Sequence, residues 1–171
     1  MLFRVPLPSA VHLSPILETC SSHWPDEAAC AASATALARH AGLSNAFIEL
    51  HGPLGAGKTT FARHLLHALG VQGRVKSPTY ALMEIYEAEL DGASWPIWHF
   101  DFYRFDDPQE WEDAGFRDVF AASGLKLVEW PEKAEGLLPL ADLCIFIEPG
   151  GDEQRSVNFN AHTALGVELL A

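Results

Sequence analysis

The 171-residue sequence contains no apolar run long enough to span a bilayer, which sets aside a helical membrane protein. Its opening, MLFRVPLPSAVHLSPILETC, has one arginine and scattered prolines in place of an unbroken apolar core, and reads as no signal peptide. Cysteine is scarce. Cys20, Cys30 and Cys144 lie far apart and form no CxxC, a pattern that fits a reducing cytosol and excludes a disulfide scaffold. The eight histidines show no metal-ligand spacing. His64 and His67, three apart on a helix-like run, have no acid or cysteine beside them and read as solvated. Basic residues are few: 11 Lys and Arg against 23 Asp and Glu, a net charge of −12. Between Glu84 and Asp118 there are eleven acids against only Arg104 and Arg117. Such a balance opposes autonomous capture of a nucleic-acid backbone. It leaves a solvated face, which charge alone favours, or a docking surface for a basic protein. Repeats, low-complexity tracts and dividing linkers are absent as well.

What the chain does have is apolar content, at 49%, enough for a globular core, and a length that suits one domain over 1–171. Residues 1–15 read as a loosely ordered extension of it. A first strand is expected at 16–20. An alanine-rich helix follows over 25–42, with acids at its start, bases at its end and Gly42 at its exit. AFIEL (46–50) reads as a buried strand, and TTFARHLLHALG (59–70) as a helix with Phe61, Leu65 and Leu69 four apart. Strands are expected at 80–88 and 95–105 around a DGAS turn, and again at 125–130, 142–148 and 155–160. A helix starts at Pro108 behind an Asp cap, with a short one at FRDVFAA. The succession predicts an α/β sheet, partly parallel, with antiparallel additions.

Between the strand at 46–50 and the helix at 59–70 stands GPLGAGKTT. Gly52 to Thr59 fit G-x-x-x-x-G-K-[ST] in full, in the strand–loop–helix context that this pattern requires. Glycines let the backbone curl until its N–H groups converge on phosphate oxygens, and the helix N-terminus adds partial positive charge. The residues expected at a nucleotide are Gly52, Leu54, Gly55, Ala56, Gly57, Lys58, Thr59 and Thr60. Lys58 is expected to reach the terminal phosphates, and the Thr59 hydroxyl to ligate Mg²⁺.

Such a loop needs carboxylates on neighbouring strand ends to hold Mg²⁺ and orient water. Asp101 follows PIWHF and Glu129 follows LKLV. His99, Asp101 and Tyr103 alternate, so they are expected on one polar face, with Trp98, Phe100 and Phe102 on the core face. In KSPTY (76–80), Pro78 stiffens a loop that carries Ser77 and Thr79, whose hydroxyls suit the sensing of a terminal phosphate. No N-K-x-D guanine signature occurs. The seven arginines are dispersed, which weakens the case for a small-molecule kinase.

In order, GPLGAGKTT, KSPTY, HFDFYR and LVEWPEK resemble the bacterial ATPase of tRNA threonylcarbamoyladenosine biosynthesis, the TsaE (YjeE) family, over about 25–160. The resemblance implies a P-loop NTPase three-layer sandwich with a mixed sheet. It implies weak, Mg²⁺-dependent ATP hydrolysis to ADP in the cytoplasm. The chain would act as an accessory subunit docked on the TsaD–TsaB heterodimer and meet tRNA only indirectly. It further implies Asp101 as a Walker-B-like acid, Glu129 as a second acid near Mg²⁺, Thr79 as a switch-like threonine and Trp130 as a site aromatic. Pro53 departs from the family's usual acid, and the segment before about Ile16 has no assigned counterpart. Two alternatives remain: a small-molecule phosphotransferase, and a nucleotide-gated binding module with little turnover.

Overall fold

The computed structural model describes residues 14–171, so most of the expected extension at 1–15 lies outside the described residues. Among the described residues the apolar runs form seven strands: β1 (Glu18–Trp24), β2 (Phe47–His51), β3 (Met83–Leu90), β4 (Ala93–Asp101), β5 (Leu125–Glu129), β6 (Leu143–Pro149) and β7 (Arg155–Ala161). They join in one sheet in the order β1-β7-β6-β2-β5-β4-β3. The inner strands β6, β2, β5 and β4 run parallel, while β1, β7 and β3 add antiparallel edges. β5 is buried along its whole length, as a central parallel strand must be. Even Lys126 is buried there, its ammonium donating to the Ala122 carbonyl and lying 5.2 Å from the Trp98 ring centre.

Helices cover both faces. α1 (Glu27–Ala38) and α2 (Lys58–Ala68) pack Leu37, Phe61, Leu65 and Leu66 against Ile48, Leu50, Ile97, Leu125 and Ile145. On the other face, α3 (Pro108–Asp113) and α4 (Phe116–Ala121) bring Trp111 and Phe116 onto Phe47, Phe100, Phe102 and Val128. Asp26 caps α1 by accepting from the Ala29 amide at 2.9 Å, and Asp107 caps α3 at the Gln109 amide, also at 2.9 Å. A last helix, α5 (Ala164–Glu168), follows β7 and was not expected from the sequence. Its five residues are too few to show a helical period.

Three expectations are corrected. The alanine-rich helix ends at Ala38, and Gly42 lies inside a separate 3-10 turn, Ala41–Asn45, instead of an exit turn. The β3–β4 turn is two residues, Asp91 and Gly92, both at positive φ, so Ala93 and Ser94 belong to β4. β4 stops at Asp101. Its face carrying Ile97, His99 and Asp101 is buried, and Tyr103 stands beyond it in a turn.

Candidate nucleotide-binding site

The C-terminal ends of β2, β4 and β5 open on a cleft of about 280 Å³, the place where parallel α/β sheets bind ligands. The loop between β2 and α2 forms one wall. Gly52 has φ 147°, and a Cβ there would lie 2.5 Å from the Ile147 carbonyl oxygen, so only glycine fits. α2 begins behind Gly57, itself left-handed, and no side chain among the described residues caps its N-terminus. The first amides of α2 are thus directed at the cleft, as anion binding requires. Pro53 keeps a part in the loop through its carbonyl, which accepts from the Ala56 amide and the Lys58 ammonium, each at 3.0 Å.

Lys58 is buried. Its Nζ donates to the Gly52 carbonyl at 2.5 Å and lies 4.0 Å from the Trp130 ring centre. Burial lowers its pKa from the usual lysine value, against the opposing pull of Glu129, Glu132 and Asp101. A cation held short of full solvation, on a loop that also offers amides, suits a phosphate oxygen.

The opposite wall is acidic. Asp101 and Glu129 are register partners across the β4–β5 pair and are 3% and 2% exposed. Glu129 is thus a buried strand end, and Asp101, buried as well, also caps the turn after β4 through the Tyr103 amide. Thr59 donates to Glu129 Oε2 at 2.9 Å. Thr79 donates to Asp101 Oδ2 at 3.0 Å, Ser77 donates to the same oxygen, and the Tyr103 amide donates to Oδ1 at 2.9 Å. KSPTY thus closes on the acid that the sequence places 22 residues away from Thr79. Trp130 takes the left-handed conformation, φ 57°, and lines the cleft with Tyr103, the ring centres 4.9 Å apart. Each residue expected at the site, from Leu54 to Thr60 and Thr79, Asp101, Glu129 and Trp130, lines this one cleft, save Gly52, which shapes its loop. Arg104 does not line it; its guanidinium lies 4.5 Å from the exposed Tyr80 ring centre. His64 and His67 diverge, one to Glu27 and the other to the Gly73 carbonyl, so they form no shared ligand site.

Two features escaped the sequence reading. A second cavity of about 200 Å³ flanks the loop at Ala56, Gly57 and Thr60, walled by Trp24, Asp26, Glu27, Cys30, Glu153 and Arg155. Arg155 Nε donates to the Ala56 carbonyl at 2.8 Å and so braces the loop from β7. No local motif marks these residues, which come from both ends of the chain. His99 is the other omission. It is fully buried, and its Nε2 is 2.8 Å from Glu129 Oε1. Alternation put it on the Asp101 face but gave it no task.

A glycine loop between strand and helix, facing two buried carboxylates in a three-layer mixed sheet, defines the fold of the P-loop NTPases. The match to solved structures agrees: a crystal structure of Bacillus subtilis YdiB superposes with a TM-score of 0.68 at 28% identity, covering 90% of this chain and 92% of that one. The family model described as threonylcarbamoyl adenosine biosynthesis protein TsaE matches residues 24–157, and the chain belongs to the TsaE family. Among similar proteins, the tRNA threonylcarbamoyladenosine biosynthesis protein TsaE of Haemophilus influenzae is 44% identical over 72% of this chain and 75% of its own length. The Bacillus subtilis protein of that name is 40% identical over 67% of this chain and 68% of its own. No helix among the described residues is long and apolar enough to cross a membrane.

Proposed function

We propose that the chain binds ATP with Mg²⁺ in the cleft and hydrolyses it, as the accessory ATPase of the tRNA N6-threonylcarbamoyladenosine modification complex. The observation that carries this reading is the pairing of buried Asp101 with buried Glu129, each holding a threonine hydroxyl, opposite the Lys58 loop. Carboxylates and a hydroxyl are hard oxygen donors, the set that Mg²⁺ prefers. Thr59, Asp101 and Glu129 would hold the ion, which when bound offsets phosphate charge. The loop amides and Lys58 bind the phosphates. Thr79 and Ser77 sit on Asp101, where they can report the terminal phosphate, and Asp101 and Glu129 orient the attacking water. The cavity walled by Trp24 and Arg155 receives the nucleoside end.

Membership of the family supports a partner-dependent role on a TsaD–TsaB heterodimer in the cytoplasm. The acidic stretch supports protein docking and indirect contact with tRNA: of its eleven acids all but Asp101 are exposed. The test is steady-state ATP hydrolysis with Mg²⁺, first with the chain alone and then with the purified heterodimer. Low activity that rises with the heterodimer, and is lost in Lys58→Ala, is expected. Asp101→Ala and Glu129→Ala are expected to fold and bind ATP but not to turn it over. Activity indifferent to the heterodimer, or raised by a small phosphate acceptor, would overturn the proposal.

A further inference from the structure

The sheet face turned away from the nucleotide loop carries a polar cluster that ATP chemistry does not use. β2 and β6 are parallel neighbours with Glu49 opposite Cys144, and His51 is two residues along β2, on the same face as Glu49. This is the face of Phe47 and α4, an apolar setting for a carboxylate. His51 Nε2 lies 2.9 Å from Glu49 Oε2, and Cys144 Sγ lies 3.3 Å from the same oxygen. One donor atom from each of the three falls within 4.8 Å of the other two.

We propose that Glu49, His51 and Cys144 form a second cation site, for a borderline divalent metal of the Zn²⁺ class. With metal–donor bonds of about 2.0–2.3 Å, tetrahedral ligand atoms stand roughly 3.3–3.8 Å apart, so the cluster needs only small rotamer shifts to close on an ion. Sulfur, imidazole and a single carboxylate select such a metal over Mg²⁺, which prefers the all-oxygen set of the nucleotide cleft. The His51 ring is oriented by stacking on Phe146, with centroids 4.4 Å apart and planes at 15°. A cavity of about 310 Å³, lined by Glu49, Cys144 and His162, supplies an entry path and room for a water as fourth ligand. Coordination replaces the Cys144 S–H bond by a sulfur–metal bond and releases that proton to solvent. His51 is the last residue of β2 and immediately precedes Gly52, so the ion would tie the root of the phosphate loop to β6.

The test uses the full chain, stripped with a chelator and titrated with Co²⁺ in excess Mg²⁺. One ion per chain is expected, with thiolate-to-cobalt charge-transfer absorption that Zn²⁺ abolishes. Cys144→Ser should remove the band. His51→Ala and Glu49→Gln should each weaken the apparent affinity by at least about tenfold. Cys20→Ser, Cys30→Ser and Lys58→Ala should leave it unchanged, the last separating this site from the nucleotide cleft. Glu49→Gln keeps the side chain's size, so it decides the matter should Cys144→Ser fail to fold. No band, or one that survives both Cys144→Ser and Glu49→Gln, would mean a hydrogen-bonded trio without a metal.

Discussion

His99 is the strongest case of a buried polar group acting through another residue. It is fully buried, and its Nε2 hydrogen-bonds Glu129 Oε1, while Glu129 Oε2 takes the Thr59 hydroxyl. Among the described residues, His99 Nδ1 is a buried side-chain atom with no hydrogen-bond partner. His99→Leu keeps the volume roughly constant and has two opposed effects. It strips a hydrogen bond from a buried carboxylate, a loss of about 2–3 kcal/mol, and removes an unsatisfied nitrogen, a gain of about 1 kcal/mol. The net expectation is a loss of about 1–2 kcal/mol in urea unfolding read by linear extrapolation. The decisive assay is the double-mutant cycle with Glu129→Gln. Once Glu129 is an uncharged amide, the loss of its partner matters less, so the two changes should couple by about 1 kcal/mol or more. Changes that add within about 0.5 kcal/mol would refute the reasoning, because the histidine would then be packing and not a hold on the acid.

Gly52→Ala should destabilise by about 2–4 kcal/mol, since it meets both a positive φ and the Ile147 carbonyl; a urea midpoint within error of the parent's would contradict this. Lys58 yields a pH signature. Its folded pKa is lowered, so in the alkaline window below about 10.4 the unfolded chain binds the proton that the folded chain has released. This contribution makes stability rise with pH there, and Lys58→Met should show a shallower slope in a chemical-denaturation series; an equal slope would count against the burial of the charge. For the thiols, burial, then the charge of Glu27, pushes Cys30 up to about 12, while Cys20 is exposed. Alkylation near neutral pH should therefore mark Cys20 and spare Cys30 by peptide mass spectrometry, and fast labelling of Cys30 would show that α1 opens readily.

What the sequence made legible was local. The phosphate loop is one contiguous motif whose glycines, lysine and threonine each have a stated task, so it could be placed before any fold was known. Asp101 and Glu129 could be placed because each terminates an apolar strand, and strand ends of a parallel sheet gather at one edge. Element boundaries were less accessible. Asp91 and Gly92 make the β3–β4 turn in two residues, and only the pairing of Leu90 with Ala93 fixes that length. Likewise, the burial of the polar face of β4 was not legible, because alternation reports which residues share a side, not what covers it. His99 is buried against Glu129 and Asp101 beneath Ser77 and Thr79, contacts that only the folded sheet brings together.

The residues that were missed share a different trait: their partners are remote in sequence and are joined by strand register. Arg155 braces Ala56 across 99 residues, and Cys144 meets Glu49 across 95. In both cases the link passes through the β6–β2 or β7–β6 pairing. A slip of one residue in β6 would turn Cys144 to the α1–α2 face and bring Leu143 or Ile145 to Glu49. The hydrophobic pattern forbids that slip, because Leu143, Ile145 and Ile147 are all buried on the α1–α2 face. The register that seats these three aliphatic side chains in one core is therefore the same register that sets a thiol beside a carboxylate and an imidazole on the other.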